Sequence, residues 1–329
     1  MKGKFLLTCS LLLAAATFVA AQPKGYYISA RNAEFLASEE ALRNHVLFLT
    51  DSICAGRATG TLGSTWAITG IGREFKAAGL LPPVGSFFRG FRSDTGRSAH
   101  NIVGFLPGKT DRYVVIAAHF DHIGTLEGTM YPGADSNASG VAALLTIAQM
   151  FKHLNELGRT FTHTIIFVAL DAKEQSLGGS RFLWQEISEG TLRNPSTGFP
   201  VSAREIDRMV NIDQVGGTEA PIHRNRPDFL LMLSDEKDGR RDALYMANAD
   251  PGIGLDLGFD YYGSKDFTRM FYRSISDQKP FLENGIPSVM FTSGITLRNN
   301  KVSDDVDSLD YAVFRRRVLA MFHYLVRVI

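Results

Sequence analysis

Four short stretches place polar side chains where packing alone does not call for them. "AAHFDHIG" ends an apolar run at residues 113–118 with His119, Asp121 and His122, and "NIDQVGG" ends another with Asp213. "YPGADSNASG" sets Asp135 in a tight turn before a helical pattern, and "LDAKEQSLGGSRF" follows an apolar run with Lys173 and then the lone acid Glu174. His119, Asp135, Glu174 and Asp213 make a mixed imidazole and carboxylate set of the kind that Zn²⁺ accepts. Alternation along "HFD" turns His119 and Asp121 to the same side, which places Asp121 to hold the second ring nitrogen of His119. Taken singly, a strand-end histidine reads as a solvated residue and Asp135 as a helix N-cap. Their joint occurrence, in this order and with glycine at the turns, points to a site. Lys173 is the odd member, a cation directly before a candidate ligand.

Such a set needs elements that end together. Residues 39–50 carry an apolar stripe at helical spacing, the Gly-rich turn "AGRATGTLGS" follows, and residues 65–79 predict a second helix stopped by Gly79 and the Pro82-Pro83 pair. Apolar runs of strand length then alternate with helical patterns. Strands are expected at "NIVGFLPG", "YVVIAAHF", "THTIIFVALD", within "DRMVNIDQVG", and at "DFLLML" and "IPSVMFTSG". Helices are expected at "SGVAALLTIAQMFKHL", "SLGGSRFLWQEI", "DGRRDALYMANA" and "DYAVFRRRVLAMFHYLVRVI". Continuously apolar strands between helices imply a single three-layer α/β domain, with a mostly parallel mixed sheet covered on both faces. In it the candidate residues fall at C-terminal strand edges, where ligands bind in open α/β sheets. Residues 189–200 read as a loop beside the sheet. The aromatic-rich "DYYGSKDFTRMFYRS" reads as a packed core helix.

The opening "MKGKFLLTCSLLLAAATFVAAQ" has two lysines, an apolar run and small residues ending at Ala21, the pattern of a secretory signal peptide. The expected organisation is a signal peptide at 1–21 and one domain at 22–329, exported to a periplasmic or extracellular space. Losing Lys2 and Lys4 with no acid turns the formal charge from +1 to −1. That argues against an electrostatic nucleic-acid binder. No later segment is apolar enough to span a membrane. Cys54 is left alone after cleavage, so no internal disulfide is expected, and no role is assigned to it.

Over nearly the whole mature chain the sequence resembles the zinc-dependent exopeptidases typified by bacterial double-zinc aminopeptidases. That family also includes animal glutaminyl cyclases and the transferrin-receptor ectodomain. The likeness rests on "VVIAAHFDHIG", "YPGADSNASGVAALL", "FVALDAKEQSLGGSRF", "NIDQVG", "SDQKPFLENGIPSVMF" and "VSDDVDSLDY". The resemblance implies a catalytic-type domain in which two zinc ions share an aspartate at ~3.5–4 Å separation. Carried over, His119, Asp135 and Asp213 would hold the first ion. Asp135, Glu174 and a late histidine would hold the second, with Asp121 supporting His119.

The chain departs from that pattern twice. The family's paired glutamates read Lys173-Glu174, so an ammonium stands at the general-base position. The family's last histidine aligns with Asn300, and no histidine lies between His223 and His323. Gln278 also stands where many members have histidine. An ammonium cannot take a proton from water, and a neutral amide is a poor zinc ligand beside imidazole. The expectation is therefore one zinc ion rather than two, and an aminopeptidase of peptides or protein N-termini whose hydrolysis is weak or lost. The alternatives are a catalytically silent member that binds peptide or protein partners, and a single-zinc acyltransferase of the glutaminyl-cyclase kind. Lys173 is expected either to pair with the carboxylates or to swing into solvent. Asp277, Glu283 and Asp304 are candidates for a relocated base.

Overall fold

A computed structural model describes residues 28–221, 226–235, 240–260 and 264–329. The expected signal peptide at 1–21 lies outside the described residues, as do Asp238, Gly239 and residues 261–263 of two expected helices. Ser38 opens the first helix, α1 (Glu39–Thr50), by accepting from Ala41 N at 3.0 Å, with Glu39 and Glu40 against the positive end of the dipole. The second, α2 (Leu62–Ala77), begins three residues before the expected start, because Thr61 supplies the cap, accepting from Ser64 N at 3.2 Å. An antiparallel hairpin follows, β1 (Phe88–Arg92) and β2 (Ser98–Leu106), and then the wholly buried β3 (Tyr113–His119). A two-stranded hairpin, β4 (Gly124–Leu126) and β5 (Thr129–Tyr131), leads into α3 (Gly140–Glu156).

The second half continues with β6 (Thr164–Leu170), α4 (Gly178–Ser188), β7 (Ile206–Ile212) and β8 (Phe229–Ser234). After α5 (Arg241–Asn248) and the short β9 (Asp256–Gly258) comes α6 (Lys265–Ser274), which is not the expected core helix: it buries only Phe271 and Tyr272 against β8 and leaves half of its residues exposed. Then come α7 (Lys279–Glu283), β10 (Ser288–Thr292) and the closing α8 (Tyr311–Val328). Residues 189–200 form a loop, pinned by a bridge between Arg193 and Pro200. Among the described residues, no helix is long and apolar enough to cross a membrane.

Among the described residues, ten strands make one sheet of eight, in the order β1-β2-β6-β3-β7-β10-β8-β9, and the small hairpin. The central four, β6-β3-β7-β10, run parallel, while β2 and β8 join them antiparallel. The chain leaves β3 through α3 to reach β6 on one side, then returns past β3 to β7 on the other. The crevice opened by that reversal lies beyond the C-terminal ends of β6, β3 and β7, where ligands sit in such sheets.

Both faces of the sheet are covered. Val114, Ile116 and Ala118 of β3 pack into the core under α1, α3 and α8. Tyr113, Val115 and Ala117 pack into the opposite core with Leu183 and Ile187 of α4 and Phe281 of α7. The two-residue period therefore sends His119 to the α4 and α7 side.

Candidate active site

His119 is the last residue of β3 and is fully buried. Its Nδ1 lies 3.1 Å from the main-chain carbonyl of Asp121, and a carbonyl can only accept, so Nδ1 carries hydrogen. Nε2 is 3.5 Å from Asp213 Oδ1, and both atoms are buried without a hydrogen-bond partner. Burial and Lys173 oppose a charge on this imidazole, but Asp213 and Asp121 outweigh them and push it up to about 10. The neighbouring His122 is buried with both nitrogens unpartnered, and burial, Arg57 and His119 push it down to about 3. The two histidines of "HFDH" are thus shifted in opposite directions.

Asp121 does more than the strand alternation implies. Its carboxylate is 3.6 Å from His119 Nδ1, while Oδ1 accepts from Lys173 N at 2.9 Å and Oδ2 from Glu174 N at 3.0 Å. The support for His119 comes first from the Asp121 carbonyl, and the carboxylate pins the Lys173-Glu174 backbone. Burial works against its charge, yet His119 and the two amides hold it below the usual carboxylate range. The pinned segment is tightly wound, with Ala172, Ser176 and Leu177 at φ of 56°, 59° and 60°. Left-handed conformations at non-glycine residues persist only where tertiary contacts over-determine them, and they cluster at functional sites. Here the Ala172 carbonyl accepts from Gly178 N at 2.8 Å, and Asp171 accepts from Ala172 N at 2.7 Å and Thr59 Oγ1 at 2.9 Å.

Lys173 does not swing into solvent. Its side chain is 19% exposed, and Nζ donates to Glu174 Oε1 at 3.0 Å. Burial disfavours the charge, but Asp213, Glu174 and Asp277 outweigh burial and hold the ammonium above the ordinary lysine pKa. Asp213, one residue beyond β7, is kept below the usual carboxylate range by Lys173 and His119 against its own burial. The structure thus gathers His119, Asp213, Lys173 and Glu174 at the C-terminal edge of three adjacent parallel strands.

Asp135 is differently engaged. Its Oδ1 accepts from Ser139 Oγ at 3.1 Å, Gly216 N at 2.9 Å and Gly217 N at 3.0 Å. Its Oδ2 is buried without a partner, and a Cβ on Gly217 would come within 2.4 Å of it, so only glycine fits there. Asp135 therefore ties the loop after β7 to the turn before α3, and its hydrogen bonds reach neither His119 nor Glu174. Nor does it cap α3, because Asn137 accepts from Gly140 N at 3.1 Å. Asn300 is exposed at φ 60°, a conformation that asparagine tolerates better than imidazole does, and its neighbour Asn299 accepts from Gln214 Nε2 at 2.7 Å. Gln278 is a core residue, accepting from Asn211 Nδ2 at 3.0 Å and donating to Tyr272 O at 2.6 Å.

Of the three proposed relocated bases, only Asp277 belongs to this cluster. It is fully buried just before α7, and both carboxylate oxygens lack a partner. Burial pushes it up to about 6, with Asp213 adding and His119 and Lys173 opposing. Glu283 is exposed and pairs with Lys279 at 3.8 Å. Asp304 accepts from the amides of Asp135 at 2.7 Å and Ser136 at 3.1 Å, and so serves that turn.

Two buried arginines had no signal in the pattern. Arg57, in the Gly-rich turn, donates to the carbonyls of Phe120, Leu49, Pro132 and Gly133 at 2.6–2.9 Å. Arg317 of α8 donates to those of Phe229, Val215, Gly217 and Pro227 at 2.7–3.1 Å. A charged residue inside an apolar helical stripe could have prompted the question for Arg317.

The family resemblance implies metal, and the orphaned atoms test it. His119 Nε2 and Asp213 Oδ1 converge as two ligand atoms. Of the expected third ligand, Asp135, Oδ1 is committed to Ser139, Gly216 and Gly217 while Oδ2 is orphaned, and an ammonium stands near the first two. Among the described residues, no group of three or more His, Cys, Asp or Glu is arranged to hold a metal ion. The residues as placed do not fit a double-zinc centre, and no chemical step is routed through one.

The sheet and its crevice define a class, the α/β fold of zinc aminopeptidases and their kin. The LapA aminopeptidase of Legionella pneumophila superposes with TM-score 0.67 at 17% identity, covering 94% of this chain and 78% of its own. An aminopeptidase from Aneurinibacillus gives 0.64 at 14%, covering 91% and 96%. A glutaminyl cyclase of Porphyromonas gingivalis gives 0.63 at 18%, covering 89% and 99%. The chain belongs to Peptidase family M28, whose profile matches residues 101–325. A probable zinc metalloprotease of Pyrenophora tritici-repentis is 27% identical over 238 residues, 62% of this chain and 51% of the relative. Leucine aminopeptidase 1 of the same fungus is 24% identical over 182 residues, 54% and 42%. This chain thus spans about half the length or less of those curated relatives.

Proposed function

We propose that this chain is an exported aminopeptidase-type protein that engages the N-termini of peptides, and that its hydrolysis is weak or lost. In this reading residues 1–21 are a signal peptide and 22–329 the domain. The observation that carries it is the Lys173 ammonium, held by Glu174, Asp213 and Asp277 where a base would have to accept a proton from water. Losing a general base alone slows such a reaction by ~10²–10⁴. Glu174, 32% exposed, is the carboxylate open enough to meet a peptide's α-ammonium. The zinc in a relative's name has at most one place here, beside His119 and Asp213. Acyl transfer of the glutaminyl-cyclase kind ranks lower, since the resemblance requires a glutamate where Lys173 stands.

Turnover of amino-acid p-nitroanilides at high protein concentration tests the reading. The expected rate is at the detection limit, and Lys173→Glu is expected to raise it. Brisk hydrolysis by the unaltered chain would remove the proposal, and two bound zinc ions per chain would favour an active double-zinc enzyme. The silent-binder reading is favoured by the same Lys173–Glu174 pair. It predicts saturable binding of a peptide with a free N-terminus and weaker binding of its acetylated form, with no cleavage.

A further inference from the structure

The crevice gathers acids that would repel one another if nothing stood between them. Asp213 and Asp277 are buried, and Glu174 is partly so. Asp213 Oδ1 and both oxygens of Asp277 lack a hydrogen-bond partner. Lys173 is the cation common to all three acids, through a direct bond to Glu174 at 3.0 Å and by electrostatic coupling to Asp213 and Asp277, which also feel the His119 imidazole. Its position is built in. Asp121 fixes the amides of Lys173 and Glu174 at 2.9 and 3.0 Å, and the left-handed turns at Ala172, Ser176 and Leu177 leave the segment little freedom. An ammonium so placed neutralises the acids and repels an arriving dication, the more strongly because the surroundings are of low dielectric.

We propose that Lys173 is a resident counter-cation that takes the place of a divalent metal ion in this crevice. The unaltered protein then holds its acids together without metal, and removing the ammonium makes the crevice a divalent-cation site. This rests on identifying the crevice with the family's site, though not on whether the chain hydrolyses peptides.

The test uses the purified full chain with zinc chloride as probe, measuring bound zinc after equilibrium dialysis and the thermal midpoint with and without EDTA. Unaltered protein is expected to retain no zinc after dialysis, and its midpoint to be indifferent to EDTA. Lys173→Gln is expected to bind zinc at least tenfold more tightly and to show a midpoint that rises with zinc and falls with EDTA. Lys173→Arg keeps the charge and is expected to behave as the unaltered chain. The proposal is overturned if the unaltered protein binds zinc tightly, if Lys173→Gln leaves zinc affinity unchanged, or if Lys173→Arg raises it equally. Should Lys173→Gln fold only in the presence of zinc, the proposal stands. Should it fold under neither condition, the zinc content and EDTA response of the unaltered chain decide. Hydrolysis by metal-stripped unaltered protein would sink the weak-hydrolysis reading and leave this one intact.

Discussion

Two kinds of buried cation hold this molecule together, and they are neutralised in different ways. Arg57 and Arg317 are fully buried, each with its guanidinium spread over four main-chain carbonyls, and burial pushes both down to about 10. Lys173 meets ionised groups instead, on Glu174, Asp213 and Asp277. Carbonyl dipoles saturate a planar fork and leave it nothing further to do. Carboxylates around a compact ammonium leave oxygen lone pairs over, as at Asp213 and Asp277.

The comparison is broken most severely at a staple. Arg317→Ala strips four carbonyls of their donor. At ~1–3 kcal/mol for each buried acceptor left unpaired, with water reaching some of them, a loss of about 4 kcal/mol or more is expected. Urea or thermal denaturation reads it, and a loss under ~1 kcal/mol would show that the fork is not a staple. Arg317→Lys should recover only part, since one ammonium cannot span the same acceptors.

Asp121→Asn is the intermediate case. The amide oxygen can keep one of the two bonds to Lys173 N and Glu174 N, and the other amide would face a donor. A loss of ~1–3 kcal/mol is expected, together with weaker binding of a free-N-terminus peptide. Unchanged peptide binding would mean that the Lys173-Glu174 segment holds its place without Asp121.

Smaller effects sharpen the picture. Asn300→Gly relieves a left-handed residue and should change stability by under ~0.5 kcal/mol, whereas Asn300→His should leave zinc stoichiometry as it was, because the site of substitution is an exposed turn. A gain of one zinc in Asn300→His would restore the alignment-based role of that position.

Cys54 gives the mildest prediction. Burial pushes its thiol up to about 11, so between pH ~9 and ~11 the unfolded chain releases a proton that the native chain retains. Stability contributed by this thiol is therefore whole below that window and falls as pH rises through it. Cys54→Ala should flatten the decline in denaturation midpoint between pH 8.5 and 10.5, and native Cys54 should resist thiol labelling.

Legibility in the sequence followed the range of the interaction involved. Helix α1 begins and ends where its apolar stripe predicts, and β3 and β6 are wholly buried strands where the apolar runs stand. The half-exposed "FRGFR" of β1 and the three-residue β4, β5 and β9 carry no comparable pattern. His119 and Asp213 come within 3.5 Å because they end or follow neighbouring parallel strands, and Glu174 follows the third of those strands. Asp135 stands beside an equally suggestive turn, but the amides of Gly216 and Gly217 take its oxygen. Asp277 could not be placed from its segment at all. It reaches the crevice only because α7 packs beneath α4 on the face to which His119 points.

The order of apolar runs and breakers by itself determined a parallel-centred sheet with its chemistry at one edge. The residue list alone also determined that an amine replaces an acid at position 173 and that no imidazole is available near position 300. Only the tertiary structure decided which carboxylates that amine answers, which oxygen each backbone amide claims, and that a third acid joins from the residues just before α7. Periodicity and composition are local properties of the chain. A buried charge is settled by whichever groups folding brings within a few ångströms of it, however far apart they lie along the sequence.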